Sequence, residues 1–331
     1  METVLIVLVI VVLLAWFFDY TNGFHDAANA IATVVSTRVL TPKTAVVLAA
    51  IFNFVGALVS VEVATTIGKG LVDPKFIDIY TVLGAVTGAI IWNLFTWYFG
   101  LPTSSSHALI GGVLGATLAH ESFSVINLKN LINKVFVPSL LAPIIGIIGG
   151  IFFMFVSYFI ASKIKARYTN KVFRVLQLFS ASFMAFSHGS NDAQKTMGII
   201  AMALVSAGVL TTFEVPLWVK FSAAFFMFLG TLVGGWRIIK TMGMKLTKLR
   251  PIDGFSAETS AAATIITASH LGMPISTTYV ITSSIMGVGV GKKITALKWS
   301  LVFTILTAWF FTIPGSGMVA FLTYKLVKMF L

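Results

Sequence analysis

The chain has 331 residues, 57% hydrophobic and 10% charged, with a formal net charge of +12 and no cysteine. A soluble globular protein carries about 25% charged residues, so this composition excludes a water-facing globule and assigns the surplus apolar sequence to lipid. Without cysteine there is no disulfide, thiol nucleophile or Cys-ligated metal. The Lys and Arg residues gather in short connectors, which reads as basic cytoplasmic loops and not as a nucleic-acid surface.

A helix needs about 20 apolar residues to cross a hydrocarbon core of about 30 Å. The first run, 3–18, follows Met1 and Glu2 with no basic n-region and no small-residue cleavage site, so it reads as a membrane helix and not a signal peptide. A polar stretch, 19–26, interrupts the pattern. Apolar segments follow at about 24–37, 43–68, 79–100, 102–119 and 133–162. Beyond a basic connector lie 172–187, 191–210, 216–236, 255–271, 274–291 and 296–327. In lipid every backbone N–H and C=O must be paired internally, which such segments achieve as helices. The expected fold is all-α and polytopic.

The chain writes one motif set twice. Asn22-Gly23-Phe24-His25-Asp26-Ala27 aligns with His188-Gly189-Ser190-Asn191-Asp192-Ala193, at an offset of 166 residues. Leu101-Pro102-Thr103-Ser104-Ser105-Ser106-His107 aligns with Met273-Pro274-Ile275-Ser276-Thr277-Thr278-Tyr279, at an offset of 172. Two pairs in the same order at nearly equal offset point to duplication. The expected organisation is a first transmembrane repeat over 1–162, a basic cytoplasmic linker over 163–171 and a second repeat over 172–331.

Loop charge gives each repeat an orientation. Lys163, Lys165, Arg167, Lys171 and Arg174 form one basic connector, and Arg237, Lys240, Lys245, Lys248 and Arg250 form another. Both read as cytoplasmic. Three apolar segments separate them, so at least one is expected not to cross fully. At the corresponding places in the first repeat the basic bias is missing, because Lys69 and Lys75 are offset by Asp73 and Asp78. The first half is therefore expected to lie inverted relative to the second, although Lys325 and Lys328 at the C-terminus run against this. Inverted repeats with broken or re-entrant helices are an architecture of secondary transporters, whose sites form where helices break at the midplane.

Asp26 and Asp192 interrupt apolar sequence at equivalent places, each just after an expected glycine-containing break. An acid inside a membrane helix costs about 2.5–3.5 kcal/mol on insertion scales. Either alone could be an interfacial cap; the pair points to cation binding or proton carriage. Asn22, Asn29 and Asn191 stand beside them, and carboxylate, amide and backbone oxygens suit Na+. Ser104-Ser105-Ser106 and Ser276-Thr277-Thr278 each follow a proline and open an apolar segment. That is ordinary capping chemistry. It is also an anion cradle of free N–H groups, hydroxyls and a positive helix end. Lys195 can pair with Asp192 or meet the anion, and is grouped with Asn29 in the anion set. Glu258 is grouped with the cation set, an interfacial cap being the alternative. His25, His107 and His188 sit in the motifs, where a histidine is more often structural; His188 and Asn53 are taken as supporting residues.

The sequences Gly-Phe-His-Asp-Ala-Ala-Asn-Ala at 23–30 and Ser-His-Gly-Ser-Asn-Asp-Ala-Gln-Lys at 187–195, with the two Pro-x-Ser hydroxyl motifs, resemble the inorganic phosphate transporter (PiT) family over essentially the whole chain. The resemblance implies two inverted repeats, both termini outside, and phosphate symport driven by Na+ or H+. It also implies that Asp26, Asn29, Asp192, Ser104 and Ser276 belong to the transport site, and that the positions of His188 and Glu258 matter. Some members carry glutamate where this chain has Asn53, and some carry histidine where it has Tyr279. The long hydrophilic loop of animal members is absent. The family includes sulfate permeases.

The expected function is import of inorganic phosphate by symport with a cation, Na+ first, with Na+ at Asp26 and Asp192. The alternative is a proton-coupled phosphate or sulfate permease of the same fold. No Gly-x-Ser-x-Gly or His-Glu-x-x-His occurs, so no enzyme is expected. No cofactor is expected. The expected partners are phosphate, Na+ and the bilayer of the cell membrane; a homo-oligomer is compatible with the sequence.

Overall fold

The computed structural model describes residues 2–330, and its regular structure is helical apart from one isolated β-bridge between Val72 and Ile126. In chain order α1 spans Glu2–Ser36, α2 Pro42–Ala57, α3 Glu62–Thr65, α4 Ile79–Phe99, α5 Ser105–His120, α6 Leu128–Asn130 and α7 Val137–Ser162. The second half continues with α8 Ala166–Ser206, α9 Leu217–Val233, α10 Trp236–Ile239, α11 Pro251–His270, α12 Thr277–Lys292 and α13 Trp299–Phe330. The second series repeats the order of the first. A long motif-bearing helix leads, a shorter helix with a bent continuation follows, then a two-helix hairpin and a long closing helix. The bend is 66° between Pro42–Ala57 and Glu62–Gly70, and 60° between Leu217–Val233 and Trp236–Lys245.

Polarity is distributed inside out. Leu140, Leu217 and Phe310 are each more than 70% exposed, while Asp19, Asp192, Lys195 and Glu258 are fully buried. In water this arrangement would expose a large apolar surface; in hydrocarbon it is the expected one. Among the described residues four helices are long and apolar enough to cross a membrane, and up to six if each bent pair is one span. The protein is an all-α integral membrane protein.

The two halves interlock. α1 packs on α9, and α8 packs on α2; α7 packs on α11 and α12, while α13 packs on α4 and α5. Each half therefore lends its first and last long helices to the other. Lys328, near the end of α13, lies 3.0 Å from Asp78 at the start of α4. Its charge is thus paired, which accounts for one of the two C-terminal lysines that ran against the loop pattern.

The sequence reading placed breaks between 3–18 and 24–37 and between 172–187 and 191–210. The structure has none. Each pair is one continuous helix, α1 of 35 residues and α8 of 41. At 1.5 Å per residue these are about 52 and 62 Å long. The polar motif residues face the protein interior, so they do not have to end the helix. The glycines serve close approach: a Cβ on Gly23 would lie 2.6 Å from the Met227 carbonyl oxygen, and one on Gly189 only 2.1 Å from that of Asn53. The fusion leaves two elements, α8 and the bent α9–α10 pair, where the sequence pattern counts three segments between the basic connectors. Only 163–165 link α7 to α8, and Arg167, Lys171 and Arg174 lie on the first turns of α8.

The short helices lie elsewhere. α5 and α12 have 16 residues each, about 24 Å, less than a hydrocarbon core of about 30 Å. They are the second arms of the α4–α5 and α11–α12 hairpins.

Gly189→Ala should force α8 and α2 apart, because the clashing atoms, Asn53 O at 2.1 Å and Asn53 Cα at 2.6 Å, are backbone. Overpacking of this kind costs about 1–3 kcal/mol. Detergent-purified Gly189→Ala should melt several degrees below wild type by thermal shift; an unchanged melting temperature would show that the contact is not tight.

Candidate functional site

The site lies where α1 and α8 cross. Thr37 Oγ1 donates to Gln177 Oε1 at 2.9 Å, Thr33 and Ser180 both donate to Glu258, and Asp26 faces His188 and Asp192. Residue numbers rise along α1 as they fall along α8, so the two motif helices run antiparallel. Their facing stripes make a polar seam through the protein.

Two hairpin tips reach this seam with the same construction. α4 ends at Gly100 (φ 66) and α11 at Gly272 (φ 64), the left-handed conformation that glycine adopts without a Cβ penalty. Leu101 N donates to Thr96 O and Met273 N to Ala268 O, each at 2.9 Å, capping the preceding helix. Beyond Pro102 and Pro274, Ser104 Oγ accepts from His107 N and Ser276 Oγ accepts from Tyr279 N, each at 3.1 Å. These seed α5 and α12. The next N–H groups, of Ser105, Ser106, Thr277 and Thr278, fall in first turns that have no intrahelical acceptor. The tips touch through Ser106 Oγ, which donates to Ile275 O at 3.1 Å. Two positive helix ends thus converge.

Asp26 and Asp192 sit between them. Ser105 Oγ donates to Asp26 Oδ2 at 2.5 Å and accepts from Lys195 Nζ at 2.6 Å. Lys195 Nζ also lies 2.9 Å from Asp192 Oδ2, and His188 Nε2 lies 3.1 Å from the same oxygen. Asn29 Nδ2 donates to Thr277 at 3.2 Å and Thr278 at 2.9 Å. Those hydroxyls pass the bond on, Thr277 to Asp192 at 3.3 Å and Thr278 to Asp26 at 3.2 Å. One ligand atom each from Asp26, His188 and Asp192 lies within 4.8 Å of the others. Asp192 Oδ1, Asn29 Oδ1 and Asn191 Oδ1 are buried without a partner. The cluster therefore offers unused oxygens to a cation, and hydroxyls, free N–H groups and an ammonium to an anion.

Other residues named from sequence take different places. Asn53 reaches His188 from α2: its Oδ1 lies 3.0 Å from His188 Nδ1, and its Nδ2 donates to Thr231 at 3.0 Å. Asn191 Nδ2 donates to Ser269 at 2.9 Å, tying α8 to the end of α11. Glu258 is not brought to the central cluster. Thr33, which holds it, is seven residues beyond Asp26, about 10 Å along α1, and Gln177 Nε2 completes its partners at 3.0 Å. The Asn22 side chain lies one turn before Asp26, its amide atoms without a hydrogen-bond partner within 3.5 Å. His25 Nδ1 lies 2.8 Å from Asp26 Oδ1. His107 turns away, to Ser139 at 2.6 Å and edge-on to Tyr279. Sequence reasoning missed Thr33, Gln177 and Ser180; isolated polar residues in long apolar helices, spaced to share the motif face, were the available signal.

A profile described as the phosphate transporter family matches residues 22–320. The chain belongs to the phosphate transporter family. It is 43% identical over 332 residues to a Bacillus subtilis (strain 168) protein named "Probable low-affinity inorganic phosphate transporter", with 99% of each chain covered. It is 46% identical over 319 residues to a Rhizobium meliloti (strain 1021) protein of the same name, covering 96% and 95%. The fold matches a solved structure titled "The sodium-dependent phosphate transporter" at a TM-score of 0.88 and 24% identity, covering 98% of this chain and 100% of the other. This phosphate transporter is accordingly a permease and not an enzyme.

In this phosphate transporter neighbouring serines have different work. Ser104 caps α5, and replacing a serine cap with alanine costs about 0.5–2 kcal/mol. Ser105 joins Asp26 to Lys195. Ser104→Ala should lower the melting temperature, whereas Ser105→Ala should abolish most phosphate uptake even in the protein that remains folded. Equal melting and uptake losses in both would remove the distinction.

Proposed function

We propose that this phosphate transporter imports inorganic phosphate with Na+ by symport, both riding in the one cluster between the hairpin tips. The observation that carries the reading is Ser105, whose hydroxyl joins the Asp26 carboxylate to the Lys195 ammonium at the meeting point of two helix N-termini. Phosphate would lie against Ser104, Ser105, Ser106, Ser276, Thr277, Thr278, Asn29 and Lys195. Na+ would take oxygens of Asp26 and Asp192, with the free oxygens of Asn29 and Asn191 in support. A cation there cancels the carboxylate charge that repels phosphate, and phosphate in turn favours the cation. Such coupling is reciprocal by linkage. Phosphate also donates hydrogen bonds at neutral pH, which carboxylates accept and sulfate cannot return. The name of the sodium-dependent fold relative agrees with the choice of Na+.

Buried pairs also favour a second reading. Lys195 with Asp192, and His25 with Asp26, hold titratable groups at the cluster, which would suit H+ as the coupling ion. Uptake into proteoliposomes under separately imposed Na+ and pH gradients separates the two. An inward Na+ gradient should drive phosphate accumulation that sulfate does not suppress. Asp26→Asn and Asp192→Asn should each raise the Na+ half-saturation by about tenfold to a hundredfold, the worth of a charge-assisted contact. Accumulation driven only by a pH gradient would overturn Na+ coupling.

We also read 1–162 and 172–331 as inverted repeats in the cell membrane, with the 163–171 segment cytoplasmic. The antiparallel crossing of the equivalent helices α1 and α8 supports this. The native chain has no cysteine, so single cysteines can be placed cleanly. Ala166→Cys and Lys245→Cys should label from the cytoplasm, and Asp73→Cys from outside. Labelling of 73 and 245 from one side would defeat the inversion.

A further inference from the structure

The two hydroxyl motifs close on His107 and Tyr279, equivalent residues whose side chains take no part in the ion cluster. Both are buried, and each reaches a closing helix. His107 Nε2 lies 2.6 Å from Ser139 Oγ on α7. Ser139 already donates to Val135 O at 2.5 Å, so its oxygen accepts and His107 Nε2–H donates. Tyr279 OH donates to Trp309 O on α13 at 3.1 Å. Ser139 and Trp309 stand 170 residues apart, close to the offsets of the motifs themselves. Each motif is therefore tied to its own closing helix, although each closing helix packs chiefly on the hairpin of the other half.

Trp309 does more than its counterpart. Its Nε1 donates to Pro102 O at 2.8 Å, in the turn of the first motif. Its ring stacks on Tyr279 of the second, with centroids 3.8 Å apart and planes 18° from parallel. His107 meets the same Tyr279 edge-on, at 4.8 Å and 80°. One tryptophan thus grips both tips, and it is buried while the next two residues, Phe310 and Phe311, are exposed. The gripped residues adjoin those that face the ions. Pro102 stands just before Thr103 and Ser104, and Tyr279 directly follows Thr278, which donates to Asp26. Aromatic pairs have preferred geometries, so a stack pinned by hydrogen bonds fixes a distance more sharply than aliphatic packing does. A binding constellation needs its groups held to within about 0.5 Å by the packing and hydrogen bonds behind them.

We propose that Trp309, Tyr279 and His107 are positioning residues: they set the gap between the two hydroxyl motifs, and with it the size of tetrahedral oxyanion that the cradle accepts. The proposal rests on the reading that phosphate lies between those motifs. A gap fixed from behind favours the anion whose oxygens just reach both rims. Loosening the clasp lets the rims part, which shifts the preference toward a larger anion of the same shape and charge, arsenate.

The experiment measures competition by phosphate and by arsenate for radiolabelled phosphate bound to detergent-purified, full-length protein at saturating Na+. A ratio of two affinities taken on one sample does not depend on the folded fraction, so destabilisation alone leaves it unmoved. Trp309→Phe deletes the bond to Pro102 and keeps an aromatic ring; Tyr279→Phe deletes the bond to Trp309 O and keeps the stack. Each should lower the preference for phosphate over arsenate by about threefold, within the worth of one hydrogen bond. Tyr324→Phe removes a hydroxyl from the far end of α13, where it meets His120 at 2.6 Å, and should keep the wild-type ratio. Should Trp309→Phe not fold, Tyr279→Phe decides. A wild-type or raised preference in the folded clasp variants, or the same drop in Tyr324→Phe, overturns the proposal. Ser105→Ala separates it from the reading beneath. If that variant binds phosphate as tightly as wild type, the cradle between the motifs is wrong and the positioning role falls with it. Weakened binding there, with an unmoved ratio in the clasp variants, removes the positioning role alone.

Discussion

Asp26 and Asp192 are carboxylates without solvent in a protein whose exterior is hydrocarbon-facing, and the fold is organised around making that tolerable. Burying an ion pair costs several kcal/mol per ion unless every lone pair and proton is met. Here the partners come from four directions: Lys195 and His188 on the same helix as Asp192, Ser105 from one hairpin tip, Thr277 and Thr278 from the other, and Asn29 relaying to both threonines. A loop could not hold such a set in register. Long uninterrupted helices can, because their own backbone bonds are closed and their side chains are free to serve the site. The glycines then follow as a packing requirement, since a helix must approach closely enough for a short serine or asparagine to span the gap.

The reciprocal packing limits how the site can open. Each hairpin rests on the closing helix of the other half, α4 and α5 on α13, α11 and α12 on α7. A hairpin cannot withdraw without carrying that helix with it. Between the tips themselves the direct links are light, a Ser106 hydroxyl on the Ile275 carbonyl and the His107 ring edge-on to Tyr279. The cluster residues are sealed to within 2% exposure, so this is an occluded arrangement. Opening would part a few hydrogen bonds at the tips while the apolar contacts of each hairpin with its closing helix move as a block. Cores are bistable more readily than they deform, and a site clasped by two such blocks suits access from alternate sides.

Much of this was legible in the sequence because the doubled motifs carry backbone requirements as well as chemistry. Pro102 and Pro274, and Ser104 and Ser276, dictate a turn and a helix start, and they produce matching hydrogen bonds in both halves. The continuity of α1 and α8 was not legible. A hydropathy reading treats any polar run as an interruption, yet a polar run on the inward face of a helix in a protein-filled interior interrupts nothing. Glu258 shows a second limit. Its place at the start of an apolar segment was visible, but its burial and its distance from Asp26 depend on the crossing of three helices, which spacing along the chain does not encode.

The repeats agree where backbone geometry is set and diverge where charge is set. The hairpin tips match bond for bond, while Asn29 aligns with Lys195, Asn22 with His188, Asp19 with Ala185 and Val86 with Glu258. Matching charges would not serve a cargo of opposite signs, because two identical acidic half-sites would repel an anion from both sides and two basic ones would hold it too firmly. Lys195 on one helix and Asn29 on the other place the ammonium to one side of the cluster. The anion can then be attracted there while the carboxylates keep oxygens free for cations. The departure from symmetry is concentrated on the α1–α8 seam, where Lys195 stands fully buried against Asp192 while its counterpart Asn29 carries no charge.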